Sequence, residues 1–293
     1  MNFRVNTHKI DDLTFIGYSV GGEETVVGVP ELNVCFDIGR APSEVINIDH
    51  VLLTHGHMDH AAGIAYYFSQ RNFLDNSDGT IVVPKPLAQP IHRLMEAWVA
   101  IENHRTPYRV VGLDPGEEYT IRKNLIARAF RTEHAGPCLG YSVLDVRQKL
   151  KDEFAGTPGQ ELAALKQRGV EITYTIEVPL VCYCGDTAYG RFFELPCVRD
   201  ARILVLECTF VEEDHRSRAD AGYHLHVEDF VRALKELNNQ HVLLTHLSHR
   251  TTLKAARQEL RRRLTEEQFA RVHFLMARPR PGNLPNPHEG NPT

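Results

Sequence analysis

The segment Thr-His-Gly-His-Met-Asp-His at 54–60 follows directly on the apolar run Val-Leu-Leu at 51–53. An apolar run with no polar alternation suits a strand buried on both faces. Three imidazoles and one carboxylate then fall within six residues, in a turn that Gly56 keeps tight, and 61–71 reads as a helix beginning just after His60. A solvated, His-rich loop is the bland alternative. It fits poorly, because a buried strand and a helix start pin both ends of the turn. Imidazole and carboxylate are the ligands that zinc, iron and manganese take. The segment therefore reads as metal-binding through His55, His57, Asp59 and His60.

The pentapeptide Val-Leu-Leu-Thr-His occurs again at 242–246. Five matching letters could arise by chance. The sharper reading is that both strands end at one place and both histidines serve one site.

The remaining pattern sets the class. Strands are expected at 13–20, 25–29, 32–38, 80–84, 118–131, 139–144, 170–176, 179–184 and 202–210. A helix is expected over 90–101 with Pro90 at its start and a stripe of Ile91, Leu94, Met95, Trp98 and Ile101. Further helices are expected at 157–169 after Thr157, at 227–237 and at 252–264. The strands are too many for a simple doubly wound sheet, so an α/β fold with a two-sheet core covered by helices fits better. A single domain is expected over 1–277, and the Pro-, Gly- and Asn-rich 278–293 reads as a disordered tail.

Composition narrows the setting. The net charge of −5 argues mildly against wholesale coating of nucleic acid, which needs many phosphate contacts. No apolar run approaches the ~20 residues of a membrane span, and the N-terminus does not read as a secretory signal. The six cysteines, at 35, 138, 182, 184, 197 and 208, read as reduced, packed thiols in a cytoplasmic protein.

The stretch THGHMDH resembles the H-x-H-x-D-H signature of the metallo-β-lactamase superfamily. That resemblance implies an αββα sandwich of two mixed sheets with a pair of metals at the strand ends. It also implies a lone His, a bridging Asp and a late His downstream, for which His134, Asp186 and His246 stand in order. Within the superfamily the chain is similar to the tRNase Z (ribonuclease Z) group, in particular its plant-type short form. The segments that carry the likeness are FDIGRAP, THGHMDH, GLDPGEEYTIRKNL, GVEIT, GDT, LECTF and THLSHR.

The likeness assigns His55, His57 and His134 to one metal, and Asp59, His60 and His246 to the other, with Asp186 bridging. Two Zn2+ ions are implied, with Mn2+ or Fe2+ compatible with the same donors. Asp59 would orient or deprotonate the attacking water. His224 would protonate the leaving oxygen, held by Glu207; His226 competes for that role, and both histidines could instead cap the 227–237 helix. The implied reaction is phosphodiester hydrolysis that frees the 3′ trailer of precursor tRNA, by a homodimer. The alternative is a hydrolase of the same fold acting on a small ester such as a cyclic nucleotide. Bacterial relatives carry a long basic arm between the lone His and the bridging Asp. Here that stretch is short and modestly basic, with Arg147, Lys149, Lys151, Lys166 and Arg168. The run Arg261–Arg263 either contacts phosphate or forms a solvated helix face.

Overall fold

The computed structural model of the chain describes residues 5–76 and 79–275. Two mixed sheets form. The first runs in the order β1 (Asn6–Ile10), β2 (Leu13–Gly21), β3 (Glu24–Val29), β4 (Val34–Phe36), β5 (His50–Leu52), β6 (Thr80–Pro84) and β7 (Arg109–Leu113). The second holds β8 (Glu118–Arg122), β9 (Leu125–Arg131), β10 (Leu139–Leu150), β11 (Thr173–Tyr183), β12 (Ile203–Glu207) and β13 (His241–Thr245), with β15 (Val272–Phe274) at its edge. The short β14 (Leu247–Ser248) crosses to the first sheet and pairs with β2. Each sheet is antiparallel on one side and parallel on the other, β4 to β7 in the first and β11 to β15 in the second.

Nine helices are present among the described residues: α1 (Met58–Ala61), α2 (Ile64–Phe73), α3 (Lys85–Glu102), α4 (Gly159–Gln167), α5 (Pro196–Arg199), α6 (Arg216–Gly222), α7 (Val227–Glu236), α8 (Leu253–Arg263) and α9 (Glu266–Ala270). The sandwich expected from the sequence is therefore observed, and the repeated pentapeptide shows how it is layered. In β5 and just beyond it, Leu52 packs between the sheets, while Val51 and Leu53 face α2 and α3. In β13, Leu243 packs between the sheets, while Val242 and Leu244 face α7 and α8. Alternate side chains leave a strand on opposite faces, so both faces need apolar residues and the run is continuous.

Several expected boundaries move. The helix expected to follow His60 begins earlier, at Met58, so Asp59 and His60 ride on a helical turn. α3 starts at Lys85 and carries Pro90 inside it. Pro86 occupies the first turn, where a missing N–H costs nothing, and both prolines are exposed, so water can serve the carbonyl that Pro90 leaves free. Of its expected stripe only Ile91 and Met95 are buried. α4 takes Pro158 rather than Thr157 as its N-cap. The strand expected over 32–38 shrinks to β4, after a 3-10 turn at Pro30–Leu32.

The break expected between 176 and 179 is absent: β11 runs through Pro179. There the β10 register shifts, and β12 begins to pair only at Val181, so no ladder bond requires an N–H from Pro179. Beyond Val146, β10 and β11 pair with no other strand among the described residues. They form an exposed two-stranded ribbon closed by α4, a short arm where the sequence promised only a modestly basic stretch. The expected tail at 278–293 lies outside the described residues.

Candidate metal centre

Both Val-Leu-Leu-Thr-His strands end on the same rim. His55 follows β5, His246 follows β13, and both rings face the same oxygen of Asp186. His55, His57, His134 and Asp186 bring one ligand atom each to within 4.8 Å of one another. Asp59, His60 and His246 do the same beside them, and so do Asp186, His224 and His246. One oxygen of Asp186 faces both sets, lying 3.8 Å from His55 Nε2 and 3.3 Å from the Nε2 atoms of His60 and His246. All seven expected ligand residues are thus assembled, in the expected two sets.

The chain holds these side chains by strained or crowded backbone. His246 sits at φ +58°, a left-handed conformation costly for a residue with a Cβ. Gly185 at φ +63° delivers Asp186; a Cβ there would meet the Thr54 side chain at 2.8 Å.

Hydrogen bonds fix the tautomers. Thr54 Oγ1 gives its proton to Asp37, so its oxygen accepts from His55 Nδ1 at 3.0 Å. His60 Nδ1 donates to Asp37 Oδ2 at 2.8 Å. His134 Nδ1 donates to the Tyr223 carbonyl at 3.1 Å. His246 Nδ1 donates to Thr209 Oγ1 at 2.9 Å, and that hydroxyl donates onward to Glu207. Four imidazoles therefore turn Nε2 inward. Burial opposes charge on His60, but Asp186 and Asp37 outweigh it and raise its pKa well above the ordinary value, so its Nε2 carries a proton that a metal would displace. His55 Nε2 and His134 Nε2 face His57 Nδ1 at 3.0 and 3.3 Å, and His60 Nε2 faces His246 Nε2 at 3.4 Å. A proton or a metal must stand between such converging nitrogens, and imidazoles and carboxylates gathered in these numbers are the donors that a metal pair takes.

Charge agrees. Burial, with the neighbouring His60, draws His55 well below its ordinary pKa, leaving a neutral ligand. Burial pushes Asp186 upward, but His246 and His60 outweigh it and hold the carboxylate well below its usual range. Asp59 is likewise held down against burial by His246 and His60, and the Gly22 amide donates to its Oδ2 at 3.0 Å.

Asp37 was not singled out in the sequence. It is fully buried at φ +53° and accepts from Thr54 N, Thr54 Oγ1, His60 Nδ1 and Tyr183 OH, which fills a carboxylate's four sites. The only local signal was an acid in FDIGRAP, at the end of a strand beside β5. Thr209 and the Gly22 amide were also missed, because their roles depend on contacts distant in sequence.

The two candidate histidines separate cleanly. His226 caps α7: its Nδ1 accepts the Glu228 amide, its Nε2 meets the Glu212 carbonyl, and it is buried away from the cluster. His224 donates from Nδ1 to Glu207 Oε1 at 2.9 Å and stacks on His246 with centroids 5.3 Å apart. Burial lowers its pKa, but the Glu207 charge and hydrogen bond carry it up to about 9. The arginine run is spent within the surface. Arg262 and Arg263 pair with Glu259, and Arg261 lies over the Phe269 ring.

The Beta-lactamase superfamily domain pattern matches residues 34–247. The Arabidopsis thaliana protein tRNase Z TRZ1 is 36% identical over 250 residues, which span 84% of this chain and 89% of that protein. The chloroplastic tRNase Z TRZ2 of the same plant is 33% identical over 254 residues, spanning 85% of this chain and 72% of its own length. The crystal structure of the short form of human tRNase Z shares the fold, with a TM-score of 0.56 at 17% identity over 91% of this chain and 96% of that one.

Proposed function

The chain belongs to the tRNase Z family of the beta-lactamase superfamily, and from that premise we infer that it is a metal-dependent endoribonuclease that removes the 3′ trailer from precursor tRNA. The observation that carries the chemistry is the His224–Glu207 pair, 2.9 Å apart and beside Asp186 and His246. Hydrolysis of a phosphodiester expels an alkoxide, a poor leaving group, so it needs an acid at hand.

We assign His55, His57 and His134 to one Zn2+ and Asp59, His60 and His246 to a second, with Asp186 between them, in a single hydrolase domain over 1–277. Such a pair supplies acidified water and electrostatic relief for a phosphoryl group. Asp59, held by the Gly22 amide, would orient the attacking water and accept its proton. His224 gives the proton on Nε2 to the departing 3′ oxygen. Glu207 accepts from Thr187 N, Thr209 N, Thr209 Oγ1 and Leu225 N as well as His224, so it is held in place and keeps the ring turned. The trailer leaves with a 5′ phosphate and the tRNA keeps its 3′ hydroxyl.

The arm of β10, β11 and α4 supports a reading in which tRNA is gripped away from the metals. The exposed apolar side chains of Tyr66, Phe73 and Leu74 and of Leu94, Trp98 and Ile101 on α3 support a homodimer closed through α2 and α3. Six free cysteines suit the reducing cytoplasm. Among the described residues no helix is long and apolar enough to cross a membrane.

The test is cleavage of an end-labelled precursor tRNA with its cut site mapped. A single cut beside the discriminator nucleotide, lost in Asp59→Ala, is expected. An intact precursor, with a small chromogenic diester still hydrolysed, transfers the activity to small phosphodiesters such as cyclic nucleotides.

A further inference from the structure

Tyr223 stands between two functional histidines. Its carbonyl accepts from His134 Nδ1, and the next residue is His224. It ends α6 at φ +55°, a position where Gly or Asn is less strained than an aromatic residue. The carbonyl explains the backbone but not the ring, because any residue supplies a carbonyl. The ring is 53% exposed, and among the described residues neither a hydrogen bond nor a ring contact engages it. Tyr189, soon after Asp186, is not free in this way: Arg232 lies 4.2 Å over its ring, and Phe193 packs against it.

We propose that Tyr223 is a substrate-binding residue that stacks on the base of the nucleotide whose 3′ oxygen leaves, a proposal that rests on the endoribonuclease reading above. The geometry follows from the chemistry. His224 must reach the 3′ oxygen to protonate it, so the nucleoside bearing that oxygen lies against His224. An exposed phenol one residue away is within reach of its base. Every base offers a flat face, so stacking is tolerant of sequence. A processing enzyme facing many tRNAs with different terminal bases needs that tolerance.

The experiment compares wild type, Tyr223→Ala and Tyr223→Phe on precursor tRNA and on bis(p-nitrophenyl) phosphate, which carries no base. For Tyr223→Ala the ratio of kcat/KM on tRNA to that on the diester should fall by about 5- to 150-fold, the factor that stacking on one base converts to. Tyr223→Phe, which keeps the aromatic plane, should restore the ratio. As a second readout, 2-aminopurine at the terminal position of the tRNA should change fluorescence on binding to wild type and to Tyr223→Phe, with metal chelated, and not on binding to Tyr223→Ala. An unchanged ratio in Tyr223→Ala, or equal losses on both substrates, overturns the stacking role while the endonuclease stands. A wild type that hydrolyses the diester but never cuts precursor tRNA overturns the endonuclease reading, and the stacking role with it.

Discussion

His224 Nδ1 donates to Glu207 Oε1 at 2.9 Å, and Glu207, 1% exposed, receives four further donors from Thr187, Thr209 and Leu225. A carboxylate so fully engaged cannot swing toward a metal. In the proposed reaction its part is to hold His224, and through Thr209 it also steadies His246.

His224→Ala should therefore lose about 10²- to 10⁴-fold in kcat on precursor tRNA, the usual contribution of a general acid. Metal content by atomic absorption should stay at the wild-type value. Loss of metal in this variant would place His224 among the ligands and remove it as the acid.

The pH profile carries the same pair. An acid works only while protonated, so activity is present below the His224 pKa and is lost as pH rises through it. With that pKa carried up to about 9, the alkaline limb should begin there. Glu207→Gln removes the charge that opposes burial, so its limb should move to lower pH. A Glu207→Gln profile that superposes on wild type would show that another group sets the limb.

Asp37→Asn should weaken metal binding without touching a ligand. Asp37 accepts from His60 Nδ1, so an amide in its place disturbs both the ring's orientation and its tautomer. Loss of such an outer partner typically costs about 10- to 100-fold in metal affinity. Competition with a chelating dye measures it, and unchanged affinity would assign Asp37 to the fold alone.

What could be read in advance follows from locality. The candidate ligands of THGHMDH lie within seven residues, and the two Val-Leu-Leu runs report their own burial, so the fold and the gathering of those side chains were legible. The supports were not. The Tyr223 carbonyl, the Gly22 amide and Thr209 act across the fold, and a carbonyl or amide carries no sequence signal at all. The choice between His224 and His226 turned on which ring the start of α7 uses as its cap. Helix propensity misplaced the start of α3, because Pro90 is tolerated once its neighbouring carbonyl faces water.

Trp98→Glu should produce monomers. Trp98 is 40% exposed amid Tyr66, Leu94 and Ile101. A carboxylate at the centre of an apolar contact is left without a partner, which should raise the dimer Kd by at least ~100-fold. Light scattering should give near twice 33.3 kDa for wild type and about 33.3 kDa for the variant. A monomeric wild type would leave that apolar face to another role.

The far end of the sandwich makes a separate, acid-side prediction. His8 Nε2 meets His273 Nδ1 at 3.0 Å, His273 Nε2 meets His241 Nδ1 at 3.0 Å, and His241 Nε2 meets Asp11 at 3.2 Å. With Asp11 as the final acceptor, a donation from each Nε2 satisfies the whole chain, which ties β1 to β13 and β15. Burial, then the neighbouring His8 and His241, lower the His273 pKa to about 4. The unfolded chain takes up this proton near the ordinary value of 6.5, and the folded one only near 4. The stabilisation is therefore complete above pH 6.5 and is lost as pH falls toward 4. Because the ring is partly solvated, the loss at pH 5 is discounted to about 1 kcal/mol, or ~2–4 °C in Tm. His273→Phe removes the titrating ring, so its Tm should fall less than that of wild type between pH 7.5 and 5. Parallel acid slopes in the two proteins would mean that His273 takes up no extra proton on unfolding.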